Sequence, residues 1–332
     1  MTQEIKKRRR LSSFRELGLT VFIIALCALI QLVSPRFLTA SNIDSLLTNT
    51  AIIVILAIGM MIVILTQGID LSVGANIALS GMVAALLVKN DFSLNPLLLI
   101  LIGTAVGLVC GAVVGALVSK LNVLPIIATL GMGYVYRGTV TLLSGGAWVS
   151  AHQMPDSFKL IATGKLLGFN NLIAIALIVL LGAQYFLGFT RTGRRFYAVG
   201  SNPEASSLSG IDAVRTRFLA YAIMGALAGM CGVLWVSKFA SAQPDTAMMY
   251  EGNLIAACVI GGVSITGGSG KVIGVFLGAL LIGIINNALP LINFISEFSK
   301  NAIQGSIILG AIIINVLVKR RAEREALARR HI

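Results

Sequence analysis

Charge is what this chain has least of. Only 12% of its 332 residues are Asp, Glu, Lys or Arg, about half the share of an ordinary soluble domain, and the deficit excludes a water-soluble globule. Histidine is scarcer still, with two residues in all. His152 falls in a polar loop and His331 beside the C-terminus, so a histidine-centred metal or catalytic site is not expected. The four cysteines, Cys27, Cys110, Cys231 and Cys258, stand inside apolar runs without CxxC spacing. They read as packing residues, with no disulfide framework and no zinc site. Neither a Ser-His-Asp set nor a carboxylate pair is visible, which argues against an enzyme.

What is present is hydrophobic length. Hydrophobic residues make up 57% of the chain, the mean hydropathy is +0.91, and apolar runs of roughly 17 to 25 residues recur, enough for a helix to cross about 30 Å of hydrocarbon. Lipid offers no partner to unpaired backbone groups, so crossing segments are helices, and the alternation of an outer-membrane barrel is absent. The fold class expected is therefore all-α: a polytopic inner-membrane bundle of about ten transmembrane helices, some broken or re-entrant, in two weakly similar halves.

The expected crossings are Leu17–Val33, Leu46–Thr66, Ala75–Val88, Pro96–Ser119, Pro125–Leu143, Asn171–Leu187, Phe218–Val236, Leu254–Ile265, Val272–Leu289 and Ala302–Val318. Leu254–Ile265 is short for a crossing and is taken as a short or re-entrant helix that still changes side. The first run is long, lacks a cleavage site and is followed by further spans, so it reads as a span and not a signal peptide. One membrane domain, 17–318, thus lies between basic tails at 1–16 and 319–332. Gly103, Gly107, Gly111 and Gly115 fall every four residues, a seam where a neighbouring helix can approach closely.

Ten crossings put both tails on one side. Nineteen of the 26 basic residues fall on that side and six on the other, with Arg137 inside a span, which makes the tail side cytoplasmic by the positive-inside rule. The net charge of +13 is explained in this way, and no soluble basic domain is left to hold nucleic acid.

The longest polar interruption on that side is 188–217. Within it Asn202 reads as an N-cap, Pro203 as the first helical residue, Glu204 as an acid facing the positive end of the helix dipole, and Gly210 as the stop. Ala205, Leu208 and Ile211 recur at helical spacing and Ser206, Ser207 and Ser209 fall elsewhere, so the short helix has an apolar stripe for a partner to grip.

Two Gly-rich breaks, 67–74 and 261–274, sit in the two halves and point to a transport path. In the first, Asp70 or Ser72 can cap the following helix, or Gln67, Asp70, Ser72 and Asn76 can line the path. Arg137 is costly in lipid and must face protein, water or the interface. Its neighbours Tyr134 and Tyr136 offer stacking surface for a sugar or part of an aromatic belt, and Asn253 is added to the path candidates. GGSGK at 267–271 fails as a phosphate loop, because Ile265 stands where Gly is needed and Val272 where Ser or Thr is needed.

GIDLSVG at 68–74, LPIIATLG at 124–131, TRTGRRFYAVGSNPEASSLSGI at 190–211 and IAACVIGGVSITGGSG at 255–270 together resemble the permease subunits of bacterial ribose-type monosaccharide ABC importers, a family that also includes autoinducer-2 permeases. The likeness runs from the first span to the last. It implies a permease that pairs with an identical or sister copy, two cytoplasmic ATPase subunits that carry ATP and Mg, and a periplasmic sugar-binding protein. No cofactor is expected on this chain. It also implies that Asn202–Ile211 is the helix that couples to the ATPase. Ser206 and Ser207 depart from the family pattern, which often has Ala and a basic residue there. The rival readings are an ion-coupled secondary transporter, in which Asp70 or Glu251 titrates, and a membrane scaffold or receptor subunit without flux.

Overall fold

A 26-residue helix, Ala40–Leu65, sits at the centre of the structure because nothing on it is polar from Ala51 to Leu65, and every side chain in that run is buried. The computed structural model describes residues 2–166 and 168–292, with Ala302, Gly305, Ser306, Leu309, Gly310 and Ile313. Twelve helices follow in order among the described residues: α1 (Thr2–Val33), α2 (Ala40–Leu65), α3 (Val73–Asn90), α4 (Pro96–Ser119), α5 (Pro125–Ser144), α6 (Asp156–Thr163), α7 (Asn171–Phe189), α8 (Arg191–Ser201), α9 (Pro203–Leu208), α10 (Ala213–Phe239), α11 (Tyr250–Ile260) and α12 (Val272–Ala288). A two-stranded turn pairs Lys165–Leu166 with Phe169–Asn170.

Eight helices among the described residues are long and apolar enough to cross a membrane, against the ten expected. The shortfall has two sources. The helix expected over 254–265 is α11, whose 11 residues reach only about 16 Å at 1.5 Å per residue, so it makes half a crossing. The tenth expected span, 302–318, lies outside the described residues except for the six named above, as does the tail 319–332. At the other end α1 runs unbroken from Thr2 to Val33, and its apolar span begins at Glu16.

α2, α3, α10 and α12 form the buried middle, and α1, α4, α5 and α7 keep most of their surface outward. Leu101, Val109, Leu177 and Ile178 are among the apolar side chains exposed there, the surface that lipid covers in a membrane bundle.

The glycine seam is real, and its partner is α10. A Cβ added at Gly107 would overlap the Gly225 carbonyl oxygen, and one at Gly111 would overlap that of Tyr221. Helix axes approach this closely only where both faces are small, and the contact then replaces a hydrophobic driving force that lipid does not provide. Replacing Gly107 with Ala is expected to cost on the order of 2 kcal/mol through overpacking, read as a lower thermal midpoint of the detergent-solubilised protein. Gly182→Ala on α7, where an added Cβ meets nothing within 4 Å, should leave the midpoint unchanged. Equal shifts for the two would refute the seam.

Candidate functional site

Two crossings begin as extended chain and continue as helix. α2 ends at Leu65 beside the start of α10: the Tyr221 hydroxyl donates to the Ile69 carbonyl at 3.4 Å. From there residues 66–72 run inward, and α3 begins at Val73. Asn76 then donates to the carbonyl of Gly107 at 3.2 Å, and Gly107 is halfway along α4. The start of α3 is therefore level with the middle of a spanning helix.

The second broken crossing is its inverse. α10 ends at Phe239 at the opposite end of the bundle, where Lys238 donates to Asn49 near the start of α2. Residues 240–249 then turn back inward before α11 starts at Tyr250. A Cβ added at Gly74 would overlap the Ala247 carbonyl oxygen and lie 3.0 Å from the Glu251 carboxylate. The two breaks, entering from opposite ends, meet there.

This pairing corrects the sequence reading, which matched 67–74 with 261–274. The 261–274 segment is a tight turn between α11 and α12, with Gly261 against Gly274, and the true counterpart is the polar stretch 240–249. Four of the five non-glycine residues with left-handed φ among the described residues lie in the two breaks: Gln67, Ala240, Ala247 and Met249. Such conformations cost about 1–3 kcal/mol each and persist only where the surroundings impose them.

Arg137 is part of what imposes them. From α5 its Nη1 donates to the carbonyls of Pro244 at 2.8 Å and Thr246 at 2.7 Å. The guanidinium is thus paired inside the protein, with no need to snorkel to the interface. Pro244, Thr246 and Ala247 were not singled out from the sequence, and the only signal for them was the polarity of SAQPDT at 241–246.

The other expected site residues divide. Asp70 is buried, and its Oδ1 accepts from the Ser72 amide at 2.9 Å and the Ser72 hydroxyl at 2.6 Å. It therefore closes a turn just before α3, and neither it nor Ser72 caps the helix amides. Asn76 also accepts from Ser80 of its own helix at 3.1 Å, and its donation to Gly107 ties α3 to α4. Asn253 lies half-buried in α11. Tyr136 donates to the Cys110 carbonyl at 2.7 Å and is buried, whereas Tyr134 is 80% exposed on the outer face of α5. Gln67 points away from the convergence, toward the end of α8. A cavity of about 180 Å³ opens beside it, lined among others by Gln67, Asn122, Arg217 and Tyr221.

The 188–217 stretch holds two helices where the sequence suggested one. α8 starts at the cap Thr190, which accepts from Gly193 at 3.0 Å, and buries Phe196 and Val199. Its two glycines masked its helical character. Burial lifts the Tyr197 hydroxyl above its ordinary pKa, and it donates to the Gly270 carbonyl at 3.2 Å.

α9 has the expected ends. Asn202 Oδ1 accepts from Ala205 at 3.0 Å, and Pro203 and Glu204 occupy the first turn. Gly210, at φ 78°, closes it: its amide reaches Ser207 at 2.9 Å and the Ile211 amide reaches Ser206 at 3.0 Å, a pairing that needs a left-handed residue and so suits glycine. The stripe faces outward. Leu208 is 92% exposed and Ala205 is exposed, while Ser206 is buried.

Comparison with known proteins finds one matching family and several curated relatives. Residues 42–317 match the family described as branched-chain amino acid transport system / permease component. The ribose import permease protein RbsC of Escherichia coli (strain K12) is 36% identical over 318 residues, covering 95% of this chain and 98% of the relative. The autoinducer 2 import system permease protein LsrC of Enterobacter sp. (strain 638) is 35% identical over 316 residues, 95% of this chain and 89% of the relative. The galactose/methyl galactoside import permease protein MglC of Escherichia coli (strain K12) is 33% identical, covering 94% and 97%. No solved structure matches significantly.

Proposed function

The chain belongs to the branched-chain amino acid transport system / permease component family, and from that premise we propose that it forms the membrane path of a binding-protein-dependent importer of monosaccharides or related small sugars. Relatives named for ribose, galactose and autoinducer 2 import support the substrate class. It is a transporter component and not an enzyme, a multi-pass protein of the inner membrane, and in such importers ATP acts on partner ATPase subunits.

The observation that carries the reading is α9, capped at both ends with its apolar side turned to solvent. A chain with no nucleotide motif and an outward-facing apolar helix has a docking element for a motor it lacks. In this reading Asn202, Pro203, Glu204, Ala205, Leu208, Gly210 and Ile211 engage one of two ATPase subunits carrying ATP and Mg. Both tails and 188–217 face the cytoplasm, as the distribution of basic residues favours. Residues 17–318 act as one membrane unit.

The path runs where the two breaks converge and along α5. Tyr134 stands midway along α5 and is exposed. A hydroxyl there is costly against hydrocarbon, which favours water or a second permease subunit, identical or sister, on this face. Asp70, Ser72, Arg137 and Asn253 shape the path from behind, and Gln67 flanks its cytoplasmic mouth. A periplasmic sugar-binding protein delivers substrate at the opposite end.

Uptake of labelled ribose and galactose by cells carrying the whole importer is expected to survive collapse of the ion gradient and to stop on ATP depletion. The reverse pattern would move the chain to the ion-coupled class.

A further inference from the structure

Three segments far apart in sequence meet beside α9 with no room for a side chain between them. A Cβ added at Gly200 would overlap the Leu65 carbonyl oxygen and lie 2.7 Å from the Gly268 amide nitrogen. One added at Gly268 would lie 2.7 Å from the Ser201 backbone, and one at Gly267 would lie 2.7 Å from Gln67 Cγ. Two hydrogen bonds close the triangle: the Gln67 side-chain amide donates to the Gly200 carbonyl at 2.9 Å, and the Gly268 amide donates to the Leu65 carbonyl at 3.0 Å. Gln67 holds its position in left-handed backbone at φ 66°, although it is not glycine and its side chain is exposed.

Each segment leads to a different element of the bundle. Gly200 is two residues before the α9 cap Asn202. Leu65 ends α2 and opens the break that leads through Asp70 to α3. Gly268 lies in the turn between α11 and α12, and α11 is the half-helix that follows the other break. α3 meets the second crossing again at Gly74, which packs against Ala247 of the 240–249 break and Glu251 of α11. The two crossings are thus joined both at the Gly200 corner and midway along their length, and α9 is attached at the corner.

We propose that Gly200, Gly268 and the Leu65–Gln67 corner form a transmission joint through which displacement of α9 moves both broken crossings together, with Gln67 as its positioning residue. The proposal rests on the reading of α9 as the ATPase-coupling helix. Backbone packed against backbone passes on a rigid-body shift without loss in side-chain rotation, the small-residue device by which closely packed elements move as one. It also gives the glycines of the failed phosphate-loop pattern a role.

The test uses the whole importer in proteoliposomes with the loaded binding protein, measuring ATP hydrolysed per sugar taken up. Gln67→Leu removes the donor at an exposed position. It should preserve assembly and stimulated hydrolysis while raising the ratio up to about tenfold, the weight of one lost hydrogen bond. Gln67→Lys, which restores a donor of similar reach, should bring the ratio back toward wild type. An unchanged ratio in Gln67→Leu, or hydrolysis and uptake falling in parallel, would overturn the joint. A Glu204→Ala/Leu208→Ala variant run alongside separates the two ideas. If it transports normally, the reading of α9 falls; if it loses transport while Gln67→Leu keeps the wild-type ratio, only the joint falls.

Discussion

Replacing Glu204 and Leu208 together with alanine is expected to lower sugar uptake about 100-fold while leaving the membrane bundle folded. Leu208 is 92% exposed, so its removal takes nothing from the core. Burying such a side chain in a partner groove contributes about 2 kcal/mol, and an acid in the first turn of a helix adds about 0.3–1 kcal/mol. Their joint loss, close to 3 kcal/mol, corresponds to about two decades of affinity. The measurement is uptake by cells, together with co-purification of the ATPase subunits and the thermal midpoint of the solubilised chain. Normal uptake would sink the docking role. A collapsed midpoint would show that α9 holds the fold, contrary to its exposure.

The second large effect is expected at Arg137. Its guanidinium holds the carbonyls of Pro244 and Thr246, and hydrogen bonds from a charged donor contribute about 1.5–3 kcal/mol each. Arg137→Ala removes both and leaves two inward-facing carbonyls without their donor, so the strained 240–249 segment loses its tie to α5. Uptake should fall by about two decades or more. Arg137→Lys keeps the charge but not the planar fork, and it should fall between the two. Measured in parallel, wild-type uptake in Arg137→Ala would mean that this segment is held without Arg137 and that the convergence of the breaks does not depend on it.

These two predictions draw on different kinds of information. α9 was readable because its signals are local. A cap, a proline, an acid and a stop glycine lie within nine residues, and each acts on the backbone beside it. The glycine seam of α4 was readable for the same reason, since a four-residue spacing defines a helix face before any partner is known. Only the partner, α10, came from the structure. Arg137 had to face protein, water or the interface because an unpaired guanidinium is costly in lipid, and nothing local names carbonyls more than 100 residues further along.

The path residues were the least legible. Gln67, Asp70, Ser72 and Asn76 are close in sequence and polar, which left open a helix cap at Asp70 or Ser72 and a common lining. Folding sends them to different tasks: Gln67 to the α8 end, Asp70 to a turn with Ser72, and Asn76 to the α4 backbone. Polarity reports that a group needs a partner, not which partner it finds. The left-handed conformations at Ala240, Ala247 and Met249 were invisible for a related reason, because those residues have no intrinsic preference for that conformation and adopt it under the constraint of their neighbours.

The sequence by itself determined that this chain lives in a membrane, which stretches can cross it, and that a capped helix with an apolar stripe interrupts the crossings. Transfer free energies and backbone capping act over one helix length, so composition and spacing suffice. Only the tertiary structure decided that 240–249 is the inverse of 66–72, that α11 is half a crossing, and that α9 adjoins the first break and the α11–α12 turn through Gly200, Leu65 and Gly268. Those facts rest on contacts between segments tens to hundreds of residues apart, where hydrogen bonds and excluded volume depend on three-dimensional placement and leave no periodic trace along the chain.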